Sequence, residues 1–421
     1  MKKGKIGFVL IGILLMGFST MPVYGRLTIE DCQQRAKENY PLIKQHELIG
    51  LSENYSLSNV SSGWLPRITL SAKATYQSDV TGIPIKTSFV NIEEMNKDQY
   101  QAILEVSQIL YDGGEISKQK KITRASSEVD QKQLEVDLYA VNDRVNNLFF
   151  GILLLQEQMK QNKLLQEELQ RNYDRVSSYI QSGIANQSDQ DAVKVNQLNT
   201  TQRQTELRSA CDAYLNMLSV FVGEKLVEDD LQKPQTKEGL LSINRPELSL
   251  IDARINQLKV QEEIIDARNL PKLGAFVQGG YGNPGLNMLK NAFTTYYIAG
   301  MRFSWSLNGF YTRKNERQLL RTGRLRLENQ KEIFLFNTGL QLTQQSNEEK
   351  KLQSLIVDDD EIIRLRENIR TSSEVKVQNG TLSVTDLLRD LTLEDQARQN
   401  KLLHEIQLLK TRYDIKNTTN N

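Results

Sequence analysis

The sequence predicts a mixed α/β membrane protein in which pairs of β-strands alternate with very long α-helical hairpins. Three observations support this class: an internal repeat, long proline-free helical stretches, and alternating strand segments of bilayer length. The repeat is clearest in the prolines. Pro41 precedes Pro66 by 25 residues, and Pro246 precedes Pro271 by 25 residues, at an offset of 205. This period is far too long for a solenoid unit, so the chain is expected to consist of two tandem halves with one architecture.

A second pair of matching positions lies late in each half. Gly183 precedes Asp189 by six residues, and Gly380 precedes Asp386 by six, at an offset of 197. Together the two matches suggest a division of the chain into a leader, two structural repeats, a connector and a polar tail that we expect to be disordered. The corresponding ranges are 1–25, 26–222, 223–244, 245–415 and 416–421.

The first residues resemble a secretory signal peptide. Lys2, Lys3 and Lys5 precede an apolar run over 6–18, and small and polar residues follow up to Gly25. The run is shorter than the roughly 20 residues of a spanning helix. Residues 1–25 are therefore expected to be a cleaved leader, with an uncleaved anchor as the alternative.

Composition excludes several classes of function. The 53 basic and 52 acidic residues leave a formal charge of +1, so no nucleic-acid partner is implied. The only two histidines, His46 and His404, make a histidine-based metal or catalytic site unexpected. Cys32 and Cys211 could pair after export, and the sequence leaves this open. No enzyme motif and no cofactor site stand out.

Proline placement indicates where the long helices lie. Proline is poorly tolerated inside a helix, and residues 85–233 and 285–421 contain none of the eight prolines. Within these stretches apolar residues recur at steps of three and four, which is the helical period. The longest predicted helix would span roughly 100 Å at 1.5 Å per residue. The predicted helices are 28–63, 115–179, 188–222, 246–269, 313–377 and 385–413.

The segments after Pro66 and Pro271 alternate with period two, which is typical of strands. Their length of about 9–12 residues is what a tilted strand needs to cross a bilayer. A soluble sheet with one wet face shows the same alternation, so the pattern alone leaves both interpretations open. The apolar faces are Ile68, Leu70, Ala72, Ala74 and Tyr76; Tyr100, Ala102, Leu104, Val106 and Leu110; Leu273, Ala275, Val277, Gly279 and Tyr281; and Tyr297, Ala299, Met301, Phe303, Trp305 and Leu307.

A membrane-spanning sheet has to close, because an open edge leaves backbone groups unsatisfied in hydrocarbon. Four strands fall short of the usual minimum of eight for a barrel. If the strands cross a bilayer, the chain must therefore contribute part of a barrel to an oligomer, and the helices joined to the strands would continue that barrel as a tube.

With these elements in order, the chain resembles the TolC family of outer membrane factors over nearly the whole mature sequence. The resemblance rests on the set of motifs rather than on one of them. The motifs are Leu27–Asp31 leading to Asn39-Tyr40-Pro41, Trp64-Leu65-Pro66, Leu270-Pro271, Ile109–Gly114, Ser182-Gly183 and Asn379–Leu388.

The resemblance implies a homotrimer with a twelve-stranded transmembrane β-barrel continued by a periplasmic tunnel of helices. It implies outer membrane lipid as surroundings, and docking of the hairpin tips to a periplasmic adaptor (a membrane fusion protein) and an inner-membrane RND or ABC pump. The expected function is passive passage of drugs, small molecules or exported protein, in a tripartite efflux pump or a type I secretion system. The external loops would be 79–98 and 283–294.

The hairpin tips carry the candidate site residues. Gly183 and Gly380 end long helices, where a left-handed residue is favoured, and Asp189 and Asp386 stand where the next helix begins, as N-terminal caps. The resemblance adds a pore role for Asp386, because a ring of carboxylates favours cations. The candidate gate is Asp386, Arg389 and Asp390, and the candidate adaptor-docking residues are Gly183, Asp189, Gly380, Thr381, Leu382 and Ser383.

Two positions depart from the family pattern. Arg389 occupies the position of a second ring aspartate, and Leu382 replaces an arginine that would pair with Asp189. An ionic lock between the two tips is therefore not expected. The acidic run 358–361 could line the tunnel or form a solvated face.

The competing hypothesis from another class is a periplasmic adaptor or a structural coiled-coil protein, since exported helical hairpins fit that too. The four strand segments of bilayer length with aromatic ends favour the channel. An adaptor would instead carry a lipoyl-like half motif, which the sequence does not show.

Overall fold

The computed structural model describes residues 26–81, 95–234 and 242–420. The predicted signal peptide, 1–25, lies outside the described residues. So do residues 82–94 of the first predicted loop, 235–241 of the connector and 421.

The described chain alternates helices and strand pairs in the order that the sequence predicts. The first half contains α1 (Ile29–Asn39), α2 (Gln45–Ser61), β1 (Arg67–Tyr76), β2 (Asp98–Tyr111), α3 (Glu115–Tyr139), α4 (Val141–Gln181) and α5 (Gln187–Val222). The second half contains α6 (Pro246–Arg268), β3 (Lys272–Asn283), β4 (Thr294–Ser304), α7 (Gly309–Gln378) and α8 (Val384–Thr419). No helix in the described ranges is long and apolar enough to cross a membrane.

The longest elements are the helices of the two hairpins. Helix α7 runs without a break for 70 residues, which corresponds to about 105 Å. The single helix predicted over 115–179 is instead divided at Ala140 into α3 and α4. Tyr139 and Asn142 flank this division, and both hydrogen-bond to Asn417 near the end of α8. The interruption therefore lies where the helix is fastened to the other half of the chain.

The four strands form one antiparallel sheet in the order β1-β2-β3-β4. The sheet thus joins the two halves through β2 and β3, whose register places Val106 opposite Val277. The fold class predicted from the sequence, long helical hairpins continuous with four strands per chain, is confirmed. The helices lie at the end of the sheet, and no described helix packs on either of its faces. Most of the buried apolar side chains therefore lie between helices.

Two hydrophobic clusters hold the helices together. The larger one joins α1, α4, α5 and α8 around the fully buried Phe149 and Phe150, with Phe150 against the ring of Tyr413. The smaller one lies at the free end of the hairpins and is described below. Full burial of such side chains stabilises the fold by roughly 1.5–3 kcal/mol each.

The prediction that the tail, residues 416–421, is disordered is wrong for the residues that the structure describes. Helix α8 continues to Thr419, and Asn420 ends it in the left-handed conformation. Thr418 and Thr419 are buried, and the Asn244 amide N–H donates to the Thr419 carbonyl at 2.8 Å. Polar composition was a poor guide here, because the connector supplies backbone partners for the last helical turn.

The two cysteines lie in the larger hydrophobic cluster as free thiols. The pairing that the sequence left open is not formed in the structure. Burial is the main cause that raises the pKa of Cys32 to about 12 and of Cys211 to about 11. Thiols with such high pKa values carry little of the reactive thiolate, so these residues act as small apolar side chains.

Candidate functional site: a two-faced sheet and two hairpin tips

The sheet has two chemically different faces. One, the apolar face, carries aliphatic and aromatic side chains that are strongly exposed; Leu70 is 76% and Tyr297 79% accessible. Because nothing among the described residues covers this face, it presents a row of exposed apolar side chains of the kind that marks a membrane or protein contact. The residues of the apolar face are Ile68, Leu70, Tyr76, Tyr100, Leu104, Val106, Val277, Tyr281, Tyr297, Met301 and Phe303.

The opposite face, the polar face, carries the alternate residues of each strand. On β2 the burial alternates, with Gln99, Gln101 and Glu105 less exposed than the apolar side chains between them. Across the polar face, the Gln101 amide donates to the Tyr296 hydroxyl. Since no element packs on the sheet, the lower exposure indicates that the polar face is its concave side. A curved sheet with an apolar outside and a polar inside is the design of a membrane barrel wall.

The sheet of a single chain is open at both edges. In the described chain β1 pairs only with β2, and β4 only with β3. An edge strand exposes unpaired N–H and C=O groups, and such groups are too costly to leave unpaired in lipid. The chain thus requires partners along both edges, which fits a barrel shared between copies.

The junctions between helices and strands are held by local hydrogen bonds. Asp112 is buried, and its carboxylate accepts from the backbone N–H groups of Gly114 and Ile116 at 2.8 and 2.7 Å. It thereby caps the start of α3. At the other junction, the Trp305 indole N–H donates to the Asn269 carbonyl at 3.0 Å. These bonds fix the direction in which each helix leaves the sheet.

The first hairpin tip connects α4 and α5. Gly183 has a φ of 73°, a left-handed conformation that glycine adopts without strain. Asn186 and Asp189 then cap α5 reciprocally. The Asp189 N–H donates to the Asn186 side chain at 3.1 Å, and the Asn186 N–H donates to the Asp189 carboxylate at 3.0 Å. The N-cap of α5 is therefore Asn186, and Asp189 stabilises the start of the helix from its third position as the partner in a capping box.

The second tip, between α7 and α8, repeats this construction. Gly380 has a φ of 67°, and the Thr381 N–H donates to the Lys376 carbonyl at 2.9 Å. The Ser383 hydroxyl accepts from the Asp386 N–H at 3.1 Å and donates to the Asp386 carboxylate at 2.6 Å. Asp386 therefore also stabilises the start of its helix, as the capping interpretation predicts.

The two tips meet in an apolar contact. Leu382 packs against the smaller cluster, where the family pattern would place an arginine. This cluster draws on both hairpins through Leu169, Val176, Val193, Val377, Val384, Leu387, Leu388 and Leu391. Beside it lies a cavity of about 400 Å³ lined by both tips, including Asp189, Gly380, Thr381, Leu382 and Ser383. The structure thus brings five of the six predicted docking residues to one surface.

Two of the three predicted gate residues lie on the exposed side of α8. Asp386 is partly exposed, and the Arg389 guanidinium lies 3.8 Å from its carboxylate. A pair this exposed contributes little stability. It does place a positive charge beside the carboxylate that the family resemblance assigns to the pore.

Asp390 does not fit the predicted gate role. It is only 9% exposed, and the Ser373 hydroxyl on α7 donates to its carboxylate at 2.6 Å. The side chain therefore lies between α7 and α8 within one chain. Asp390 lies one helical turn after Asp386, but it is among the buried residues of α8 together with Leu387 and Leu391.

Sequence reasoning missed an ionic network behind the tips, centred on Arg370 of α7. Its guanidinium lies 2.6 Å from Glu394 on α8, 2.6 Å from Glu374 one turn along α7, and 3.6 Å from Glu168 on α4. Arg398 lies 2.9 Å from Glu394 on its own helix. Burial disfavours the Arg370 cation, but the hydrogen bond to Glu394 and the surrounding carboxylates outweigh burial and raise its pKa.

A partly buried carboxyl, Asp395, lies in the same groove between α4 and α8. The Gln161 amide donates to Asp395 at 3.0 Å. Burial is the main cause that raises the pKa of Asp395, and it outweighs the hydrogen bond and the nearby Arg398. This side chain makes the α4–α8 contact sensitive to protonation.

Two residues of the acidic run of α7 contact side chains of α8. Asp359 is buried and lies 2.6 Å from the His404 ring, and Asp360 lies 2.5 Å from Lys401. Glu361 pairs with Arg364 on its own helix at 2.5 Å. Asp359 and Asp360 therefore connect α7 to α8 within the hairpin. In the described ranges, no group of three or more histidine, cysteine or acidic residues is placed to hold a metal ion.

A profile of the outer membrane efflux protein family matches residues 33–224, which correspond to the first repeat. No curated protein sequence matches the chain.

Solved structures match almost the whole chain. The outer membrane channel CmeC of Campylobacter jejuni has a TM-score of 0.61 at 14% identity, covering 93% of this chain and 85% of its own. The outer membrane protein VceC of Vibrio cholerae has a TM-score of 0.63 at 11% identity, covering 93% and 94%. The open state of the outer membrane channel MtrE of Neisseria gonorrhoeae has a TM-score of 0.64 at 12% identity, covering 93% and 88%. At these identities the likeness shows a shared fold.

The two kinds of match agree with the geometry. The profile match identifies the first repeat, the second repeat has the same order of elements, and the sheet has the exposed apolar face of a membrane wall. Residues 33–224 match the outer membrane efflux protein family, and the described chain has the fold of solved outer membrane channels; the chain is accordingly an outer-membrane channel protein of TolC-like architecture whose long helices form a periplasmic tunnel.

Proposed function

We propose that three copies of this chain assemble into one channel-tunnel, each contributing four strands to a closed barrel and two helical hairpins to the tunnel. The channel passively conducts solutes that an inner-membrane pump delivers. The open edges of the sheet support this assembly, because a closed barrel pairs β1 of one copy with β4 of the next.

The observation that carries the proposal is the exposed apolar face of the sheet. Its side chains are all on one side of four strands, and the strands lead directly into helices too polar to enter lipid. This arrangement favours a channel over the alternative of a periplasmic adaptor. An adaptor is surrounded by water in the periplasm, where an exposed apolar face of this kind would promote aggregation.

The finer assignments concern the partners. The capped tips form a compact end surface around the cavity that they share, and this surface fits the docking of a periplasmic adaptor. The pump behind that adaptor belongs to the RND or the ABC class, in a tripartite efflux pump or a type I secretion system. The channel itself performs no bond chemistry and holds no cofactor.

Opening requires the hairpin ends to separate. A partner opens the channel to the extent that it binds the open conformation more tightly than the closed one. The apolar contact at Leu382 and the network at Arg370 are the described interactions that such a movement would disturb.

The apolar face gives a direct test through a matched pair of substitutions. Leu70→Arg places a charge in the lipid-facing row and is expected to cost about 2–4 kcal/mol near the bilayer midplane. Ser71→Arg places the same charge one residue away, on the polar face. The first variant should lose most outer-membrane trimer, while the second should retain it, as measured by native electrophoresis of detergent-extracted outer membranes.

Electron microscopy of the extracted wild-type particles completes the test. A threefold cylinder well over 100 Å long is expected from the helix length. A water-soluble monomer, or equal assembly of Leu70→Arg and Ser71→Arg, would contradict the proposed channel.

A further inference from the structure

A basic cavity lies on the polar face where the sheet meets the helices. It has a volume of about 550 Å³ and is lined by residues from all four strands, including Arg67, Lys272 and Arg302. Its lining contains no acidic residue. The three cationic side chains stand together on one concave wall. The other side chains that line the cavity are small or neutral, among them Ser107 and Ser304.

The strand register explains why these side chains meet. Arg67 is paired with Ser107, Ser107 with Phe276, and Arg302 with Gly274, so the two arginines stand two residues, or about 7 Å, apart along the strand direction. Alternation places all of them on the polar face. The Arg302 guanidinium also lies over the ring of Phe276, at 4.8 Å from its centroid, which keeps it against the wall.

The three cations differ in how far they are neutralised. Lys272 lies 2.5 Å from Glu115 at the start of α3, and Arg302 lies 3.6 Å from Glu105 on β2. Arg67 has no ion pair among the described residues. Positive charge therefore remains at this level of the wall, and in a closed trimer it would occur three times around the lumen.

We propose that Arg67 and Arg302, with Lys272 beside them, form an anion-attracting zone inside the conduit at the junction of tunnel and barrel. The zone favours anionic solutes such as chloride, carboxylates and phosphates over cations of the same size. This inference rests on the proposed function, since it requires the polar face to line the lumen. Charged rings in a pore select ions by sign in this way.

The test is the ion selectivity of purified trimers in planar bilayers, recorded in a gradient of potassium chloride near 0.1 M. In the double variant Arg67→Gln/Arg302→Gln, the chloride-to-potassium permeability ratio should fall about sevenfold, because a unit charge about 7 Å from an ion contributes about RT in water, with opposite signs for chloride and potassium. The charge-conserving Arg67→Lys/Arg302→Lys should keep the wild-type ratio. At 1 M salt the difference between the variants should shrink through screening.

A second variant keeps the test decisive if the double variant assembles poorly. Ser107→Asp adds a carboxylate directly across from Arg67 without removing any side chain of the wall, and it should lower the same ratio. An unchanged ratio in channels of either variant would overturn the anion zone while leaving the channel itself intact. Wild-type protein that forms no trimers and no conducting pores would instead refute the proposed function.

Discussion

The ionic network behind the hairpin tips leads to the sharpest prediction, the effect of Arg370→Gln. Arg370 of α7 is the one side chain of this network that contacts α4, α7 and α8 at once. Glutamine keeps the polarity and part of the length but removes the charge. Glu394, which is only 7% exposed, would lose its partner from the opposite helix and keep only Arg398 on its own helix.

The expected cost follows from the burial of the pair. Removing one partner of a fully buried ion pair costs about 3–5 kcal/mol, and a charge-assisted hydrogen bond contributes about 1.5–3 kcal/mol. The side chain of Arg370 is 22% exposed and that of Glu394 9%. For this partly solvated pair we expect a loss of about 2–3 kcal/mol in the stability of the local structure.

Hydrogen exchange detects such a loss without unfolding the whole assembly, because local openings have their own free energies. A cost of 2 kcal/mol corresponds to about a 30-fold increase in the open population at 25 °C. Backbone amides in residues 365–378 of α7 and 390–398 of α8 should therefore exchange about 30-fold faster in Arg370→Gln. Amides of the sheet and of α1 should exchange at the wild-type rate.

Arg364→Gln is the matched control. Arg364 lies on the same helix and pairs with Glu361 at 2.5 Å, but both side chains are more than half exposed, so its loss should not change the exchange rates. A double-mutant cycle with Glu394→Gln should give a coupling energy between positions 370 and 394 of about 1–3 kcal/mol. Equal exchange in Arg370→Gln and Arg364→Gln, or zero coupling in the cycle, would refute the reasoning.

The remaining predictions concern single residues near the tips. Asp395→Asn should raise the thermal midpoint at pH 7 and leave it unchanged near pH 4. Burial raises the pKa of Asp395 above its ordinary value of 3.8. The folded wild-type protein therefore loses stability as the pH rises from 3.8 through the folded pKa and the carboxyl becomes charged, and the asparagine side chain avoids this loss. Equal shifts at both pH values would contradict this. Gly380→Ala should destabilise the tip by about 1 kcal/mol in chemical denaturation because of its positive φ, whereas Gly339→Ala inside α7, where a Cβ meets open space, should stabilise by up to about 1 kcal/mol. In bilayer recordings, Asp386→Asn should weaken and Arg389→Gln should strengthen the preference for cations, since the two charges are 3.8 Å apart; unchanged selectivity in both would remove these residues from the conduction path.

The elements of the fold could be predicted because their signals are local. Proline positions bounded the helices, and period-two alternation located the strands; β1 begins one residue before Ile68, and β3 one before Leu273. The glycines of the tips and the aspartates six residues later are also local signals. Each side chain completes a turn or a cap within a few residues of itself.

The contacts between hairpins could not be predicted, because they depend on residues far apart in sequence. Arg370 and Glu168 are about 200 residues apart, and only the pairs Arg370–Glu374 and Glu394–Arg398 of this network show a helical spacing that the sequence could reveal. Asp390 is a different case. It lies four residues from Asp386, so the helical period places both on one side of α8, and its burial depends on the contact with Ser373 of α7, which the sequence does not reveal.

The tip ends of the two hairpins are held together by two contacts of different chemistry at different positions along the helices. Leu382 joins an apolar cluster at the tips, whereas the Arg370 network is centred eight residues before the end of α7, about 12 Å along the helix axis. The apolar contact is insensitive to moderate salt, and the ionic contact is screened only where it is exposed to solvent. A partner that binds the tips would therefore act first on the apolar contact, and separation of the second hairpin, α7 and α8, from α4 would also require the Arg370–Glu168 contact to break. Arg370 keeps its contacts with Glu374 and Glu394, which lie in its own hairpin, when it separates from Glu168. No buried charge on α7 is then left unpaired. The Arg370–Glu168 contact is therefore suited to breaking and re-forming reversibly.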